Sequence, residues 1–575
     1  MLAKRIYQSL IKFSDGILIL ALPILLVVLN SNWIFSPVTN FLPDAWFYTA
    51  FFRYFDSYAP VFPSNTYYFV ERITWNVPGY LVYKIFSPLY ANYVIHLTVC
   101  YIALFSLYGT LTLLFNRRTA ILSTLLMGGY PWFLRAAGWD YVDGVGIALT
   151  LLLIYVLTLS ISSQHWKLLV LSAGIIHATL LVTNLFWIGL TPGWFIYYLF
   201  ISHPIAKEKA WKLIDYFVLG NLIITAVVEL YYFSLTGNYF LQNSIGFSVQ
   251  IAHNKAFSNL ILGLYGHMPP YWHVLSALIA VAGIWQLIKP TKTPLYRSFI
   301  ATGLFFVITY SCLIFWHFYT LPYLNIFLYS SFTIPAIFLL FGALLGNITS
   351  KLSENQFRNA LVTAFLSSAT PFFLVTIIPS LEQQQGNILL IAIFSLILTL
   401  ALASANKGML VFPAILSFGI LSFLASANSY VFISNPLHGQ NNFTALIDAS
   451  EVIDSYYPNH EYMDFRLWYR DDVHYDAFFN LSALYLYPWG SAINQPRSGK
   501  APPATLTFGD EDLLQEGDNI VIVSSNPDAS EVMAEADLAL VSRNATLNLI
   551  ATKEIKNDSL AFILYFTTAD ITGKE

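Results

Sequence analysis

Charge is scarce in this chain. Charged residues make up 10% of 575 positions and hydrophobic residues 57%, whereas a soluble domain carries about 25% charge. That excludes a water-soluble globular protein and describes an integral membrane protein. Cysteine is nearly absent. Cys100 and Cys312 both lie inside apolar runs, which excludes a disulfide framework and a cysteine metal site and leaves packing as their role. The C-terminal tail lacks a Rossmann glycine fingerprint, a P-loop and a G-x-S-x-G elbow. The chain shows no internal repeat and no low-complexity segment, and nothing points to nucleic acid. Cytoplasmic loops are too short for a nucleotide-binding domain, which argues against ATP-driven transport.

What is present is a succession of apolar runs of about 20 residues, the length that crosses ~30 Å of hydrocarbon. Thirteen spans are expected, near 16–35, 91–115, 119–136, 143–162, 168–185, 186–203, 213–235, 272–289, 298–318, 322–345, 360–379, 388–405 and 410–432. The first follows Met1-Leu2-Ala3-Lys4-Arg5 and is read as a retained span, being too long for a signal-peptide core. With a cytoplasmic N-terminus, the inner segments hold 15 of the 20 basic residues before the tail, as the positive-inside rule demands. The outer side keeps Arg53, Arg72, Lys84, Arg135 and Lys255. An odd number of spans then places the tail outside.

Two expected outer loops are long. Loop 36–90 is rich in aromatics, with Trp46, Phe47, Ala50, Phe51 and Tyr54 along one helical face, as in a helix resting in the membrane interface. Loop 236–271 runs through Asn238, Asn243, His253, Lys255 and His267 to Pro269-Pro270. From Asn435-Pro436 the composition changes. The tail from 437 carries 8 basic against 21 acidic residues. Short β-rich runs (Tyr462 to Tyr469, Asn519 to Ser524, Leu560 to Phe566) alternate with helical patterns (Ala445 to Tyr456, Asp528 to Leu540). The chain thus reads as a polytopic α-helical membrane domain over 1–434 and an outer-face α/β domain over 435–575.

Charge this rare makes acids at the membrane surface functional candidates. Asp44, in Pro43-Asp44-Ala45-Trp46-Phe47-Tyr48, stands just beyond the first span. Low dielectric there would raise a carboxylate toward the working pH of a general base. For Asp56 and Glu71 a solvated loop acid is the preferred reading. Asp140 and Asp143 share the turn after Arg135, and Asp143 opens a span as an N-cap or as a functional acid. Arg135 either snorkels or grips phosphate with its planar fork. Arg53 and Arg72 are further cations, with a structural role preferred. His253, Lys255, His267 and His273 are candidates for phosphate, and their spacing matches no compact metal site. Glu229, near the outer end of a span, is expected to face a cavity. The 37 Tyr, 46 Phe and 14 Trp are explained by interface belts and lipid-facing surfaces.

Four segments together resemble the membrane glycosyltransferases of the GT-C type, in the protein-mannosyltransferase and aminoarabinose-transferase branch. They are Asp44 with Tyr48, Pro78-Gly79-Tyr80-Leu81, Leu230-Tyr231-Tyr232 to Thr236-Gly237-Asn238, and Gly266-His267-Met268-Pro269-Pro270-Tyr271-Trp272. The resemblance covers roughly residues 1–320. It implies a GT-C-like fold and a sugar donor on polyprenyl phosphate, attacked at its anomeric carbon by an acceptor hydroxyl. It further implies Asp44 as base, with Asp140 or Asp143 assisting or holding a divalent metal ion. Arg135, His253, Lys255, His267, Arg53 and Tyr48 are its substrate- and phosphate-side candidates. Two departures stand out. Many members have an Asp-Glu pair where this chain has Asp44-Ala45, and the acidic α/β tail is not their usual C-terminal part.

The expected activity is inverting glycosyl transfer to an acceptor glycan, lipid or protein at the extracytoplasmic face of the cell membrane. A polysaccharide polymerase or ligase of the cell envelope would concentrate arginines in a large later outer loop, and loop 236–271 has none. A secondary transporter would place paired broken helices and charge at mid-membrane. A scaffold for a working tail would not need thirteen spans.

Overall fold

A computed structural model describes residues 2–36, 43–59, 68–202, 210–253, 295–319, 331–350, 352–377, 439–457, 465–470, 472–473, 475–485, 506–507, 516–540, 545–556 and 560–571. The expected spans 272–289, 388–405 and 410–432 lie outside these residues. Helices in chain order are α1 (Leu2–Leu29), α2 (Pro43–Tyr58), α3 (Ile73–Ile85), α4 (Pro88–Leu114), α5 (Arg117–Gly128), α6 (Pro131–Gly138), α7 (Val142–Ser162), α8 (Trp166–Thr183) and α9 (Thr191–Ser202). They continue with α10 (Ala210–Thr236), α11 (Phe240–His253), α12 (Leu295–Tyr319), α13 (Thr333–Thr349), α14 (Glu354–Ile377), α15 (Gln440–Tyr456), α16 (Tyr475–Leu484) and α17 (Ala529–Leu540). Five stretches among the described residues are long and apolar enough to cross a membrane: Pro88–Leu114, Val142–Ser162, Trp166–Thr183, Leu213–Thr236 and Ile300–His317.

The expected spans 119–136 and 186–203 are not single helices. The run 119–136 breaks into α5 and α6 because Pro131 has no amide hydrogen to continue a helix and is suited to a first helical position. The run 186–203 opens with a 3-10 turn, Leu185–Leu190, in which the Asn184 side chain accepts from Phe186 N at 3.1 Å.

Chain contacts divide the molecule into two compact units. One comprises Met1–Ile34, Glu71–Trp75 and Tyr93–Ile433. Lipid gives helices no hydrophobic reason to associate, so small residues and hydroxyls do the joining. Ser123 Oγ donates to Phe338 O at 3.1 Å, and Ser368 Oγ to Leu125 O at 2.9 Å, tying α5 to α13 and α14. Between α8 and α10, His177 sits 2.7 Å from Asn221 Oδ1 and 3.1 Å from Thr191 Oγ1. Near the start of the bundle, fully buried Asp15 takes Arg117 in a two-pronged pair at 2.5 Å and the Tyr108 hydroxyl at 2.8 Å.

The other unit comprises Phe35–Val70, Asn76–Asn92 and Ser434–Glu575. Its five-stranded sheet has the order β2-β1-β3-β5-β4, with β1 (Arg466–Arg470), β2 (Leu506–Thr507), β3 (Asn519–Ser524), β4 (Ala545–Lys556) and β5 (Ala561–Ile571). Only β1 and β3 run parallel; the other pairs are antiparallel. Ile520 and Ile522 pack with Trp468, Val532, Ala536 and Leu540 under α17. Alternation along a strand turns the equally buried Val521 and Val523 to the opposite face. On that side Tyr456 of α15 stacks on Phe566 at 4.0 Å, and Phe478 of α16 on Tyr469 at 4.4 Å.

The long-loop helix α2 joins this layer. Its apolar stripe is covered by protein, which corrects the expectation of a helix resting in the membrane interface. Trp46 lies 5.7 Å from Phe443 of α15, Phe47 5.0 Å from Phe69, and Tyr54 is stacked near Tyr485.

Candidate active site

The turn from α6 to α7 concentrates buried charge in one unit. Two glycines make it possible. A Cβ on Gly138 would stand 1.7 Å from Trp33 O, and one on Gly144 would stand 2.0 Å from Ala136 O. Only a residue without a side chain lets the backbones approach so closely. Held in this way, Arg135, Asp140 and Asp143 are all essentially inaccessible. The Arg135 guanidinium lies over the rings of Trp139 and Trp132, at 4.5 and 5.3 Å from their centroids. It does not snorkel. It acts electrostatically on Asp143, whose Oδ2 has no hydrogen-bond partner among the described residues. The N-cap of α7 is Tyr141, not Asp143, which sits in the first turn, where the positive end of the helix dipole favours a carboxylate.

Asp140 has a partner that sequence reasoning missed. His96 of α4 lies with Nε2 2.8 Å from Asp140 Oδ1 and Nδ1 2.9 Å from Ala137 O. A carbonyl only accepts, so Nδ1 carries a proton. The Nε2–Oδ1 contact then holds one more, shared between imidazole and carboxylate. Trp75 Nε1 donates to Asp140 O at 3.0 Å and fixes the same turn from another side.

Glu71 departs from the solvated reading. It is 2% exposed, accepts from Ser244 Oγ of α11 at 2.6 Å through Oε2, and leaves Oε1 without a hydrogen-bond partner among the described residues. Burial lifts its pKa to about 7, against the smaller downward pull of Ser244 and Arg72. Arg72 is buried beside it in sequence. Glu229 is half-buried. Its two oxygens accept from Phe240 N at 2.7 Å and Leu241 N at 2.9 Å, capping the start of α11 after the left-handed Gly237. A helix N-terminus offers amides with no internal partner, and a carboxylate satisfies them.

Asp44, Tyr48 and Arg53 belong to the other unit. Asp44 is 3% exposed in the first turn of α2. Tyr48 is buried edge-on to Phe69 at 5.2 Å. Arg53 is engaged with Asp454 at 3.3 Å and with the Ser450 hydroxyl. Asp56 is exposed and is held below the usual carboxylate range by hydrogen bonds from Tyr80 and Lys84. His253 ends α11; Lys255, His267 and His273 lie outside the described residues.

Asp140 Oδ1 is taken by His96, and no group of three or more His, Cys, Asp or Glu suited to a metal occurs among the described residues.

No protein-family model matches the chain, and no curated protein matches it. Among solved structures it is similar to ArnT from Cupriavidus metallidurans in the apo state, at 16% identity, covering 96% of this chain and 98% of that one with a TM-score of 0.49. The same protein bound to undecaprenyl phosphate gives 14% identity, 91% and 96% coverage and a TM-score of 0.49. The apo Archaeoglobus fulgidus oligosaccharyltransferase gives 13% identity, 64% and 56% coverage and a TM-score of 0.42.

Proposed function

We propose that this protein is an inverting membrane glycosyltransferase, moving a sugar from a polyprenyl-phosphate donor to an acceptor at the extracytoplasmic face. The observation that carries the reading is the α6–α7 turn. There a guanidinium and two carboxylates are buried in an apolar bundle, and one carboxylate oxygen of Asp143 has no hydrogen-bond partner among the described residues. Burying charge without full satisfaction costs several kcal/mol per ion. Such a cost at a helix start is what a binding site for an ionic ligand would require.

In the proposed reaction Asp44 takes the proton of the acceptor hydroxyl as that oxygen attacks the anomeric carbon. The bond from that carbon to the phosphate oxygen breaks, and the lipid phosphate leaves with its electron pair. One base and one direct displacement invert the configuration. Arg135 is assigned to the leaving phosphate, with His253, Lys255 and His267 as further cationic candidates. Asp143, which feels the charge of Arg135, or Asp140 in the same turn is assigned an assisting role, and Tyr48 lies one turn along the base's helix. The C-terminal domain lies on the same side of the membrane as the reaction.

The direct test incubates purified protein with radiolabelled polyprenyl-phosphate sugars and membrane extract. Transfer of label that is lost in Asp44→Asn supports the reading; no transfer from any such donor refutes it.

A further inference from the structure

We propose that the C-terminal domain grips the long-loop helix α2 and so sets the position of Asp44, with Asp454 as the positioning residue. The consequence for transfer rests on Asp44 being the base; the grip itself does not.

The helix α2 is not regular. Tyr54 has φ −127° and ψ 29°, so the helix breaks there and needs something to hold the angle of its two parts. Asp454 of α15 stands at that break. It receives Arg53 Nη2 at 3.3 Å and the Tyr54 hydroxyl at 2.5 Å, and its Oδ1 lies 3.0 Å from the Tyr485 hydroxyl. Arg53 also reaches the Ser450 hydroxyl one turn earlier on α15. The pair is enclosed, with side-chain exposures of 8% and 14%, so solvent screens it far less than a surface pair. Removing Asp454 would strand a buried guanidinium.

Toward its N-terminus α2 meets the same helix again, through Trp46 and Phe443 at 5.7 Å. The two helices therefore run in the same direction, touching near both ends of the segment that begins with Asp44. From Tyr54 to Asp44 is about 15 Å along a helix, so a tilt of roughly 10° at the break would swing Asp44 by about 3 Å. Displacements of about 1 Å cost on the order of 100-fold in rate.

A second observation bears on the described part of the domain's sheet. In α/β sheets, ligands bind outside the carboxyl ends of parallel strands. Here that place, beyond β1 and β3, is filled by the domain's own Asp472. Its carboxylate accepts from Ser524 Oγ at 2.8 Å and from the amides of Ser525 and Asn526, each at 3.1 Å.

The test uses the full-length protein in detergent, with Asp454→Ala and the milder Tyr54→Phe, which deletes one hydroxyl. Hydrogen exchange over 43–58 should quicken at least tenfold in Asp454→Ala and less in Tyr54→Phe, while α7 and α8 stay protected. The turnover number should fall 10- to 100-fold with the KM for the donor unchanged. Unchanged exchange over 43–58 in both variants overturns the grip. Faster exchange with unchanged turnover overturns the positioning role. Should Asp454→Ala fail to fold, Tyr54→Phe carries the same two criteria alone. Asp44→Asn, measured alongside, isolates the other reading: transfer retained by that variant refutes the base and leaves the exchange result standing.

Discussion

Replacing Glu71 by Gln isolates one buried carboxyl whose titration the structure makes readable. Glutamine keeps the shape and still offers Ser244 an acceptor, so the change is in protonation alone. Burial lifts Glu71 from an ordinary 4.5 to about 7. The sign follows from linkage. With a raised native pKa, the unfolded state ionises first as pH rises. The stabilisation by the protonated form is complete below about pH 4.5 and is lost as pH climbs through about 7. A shift of that size corresponds to about 3 kcal/mol between the two ends of the window. Thermal unfolding in detergent at pH 5, 6, 7 and 8 measures it as a difference between wild type and Glu71→Gln. The two should be nearly equal at pH 5, with the glutamine variant progressively more stable toward pH 8. A difference that does not change with pH would show that Glu71 is solvated in the folded protein and would refute the burial argument.

Gly144→Ala should damage the α6–α7 turn, because its new methyl would stand 2.0 Å from Ala136 O. Backbone must shift by more than 1 Å to accept it, and overpacking of this kind costs about 1–3 kcal/mol; lower yield of folded protein and a loss of transfer larger than the loss of stability are expected. Glu229→Ala should remove the cap of α11 at a cost of about 1 kcal/mol, seen as faster hydrogen exchange at Phe240 and Leu241 with α10 unchanged.

The sequence made much of this architecture legible, in unequal ways. Strand β3 was read to the residue and α7 to within one, because each is an unbroken apolar run bounded by polar residues or turn signals. Strand β4 escaped because it is an edge strand. Its Lys553, Glu554 and Lys556 protect an open edge and dilute the apolar pattern that marks a strand. The apolar stripe of α2 was legible as a stripe. Its partners were not, since Phe443 and Tyr485 come from the far end of the chain. The candidate site divides along the same line. Asp44, Arg135, Asp140 and Asp143 stand out because charge is rare. His96 did not, since a single histidine inside an apolar run carries no local signal and its partner Asp140 is 44 residues away. Glu71 looked like any loop acid, because what distinguishes it is burial under Ser244 of α11, a tertiary fact. Glu229 was noticed correctly as costly, but its use as a cap depends on the turn at Gly237.

The central claim is that one carboxylate at the start of α2 removes the acceptor's proton. Single-turnover transfer from a radiolabelled polyprenyl-phosphate sugar, compared between wild type and Asp44→Asn at matched protein and donor occupancy, tests it most directly. Asp44→Asn should lose at least 100-fold in the transfer step, the scale of general-base catalysis, with donor binding intact. A variant that transfers label at the wild-type rate would contradict it.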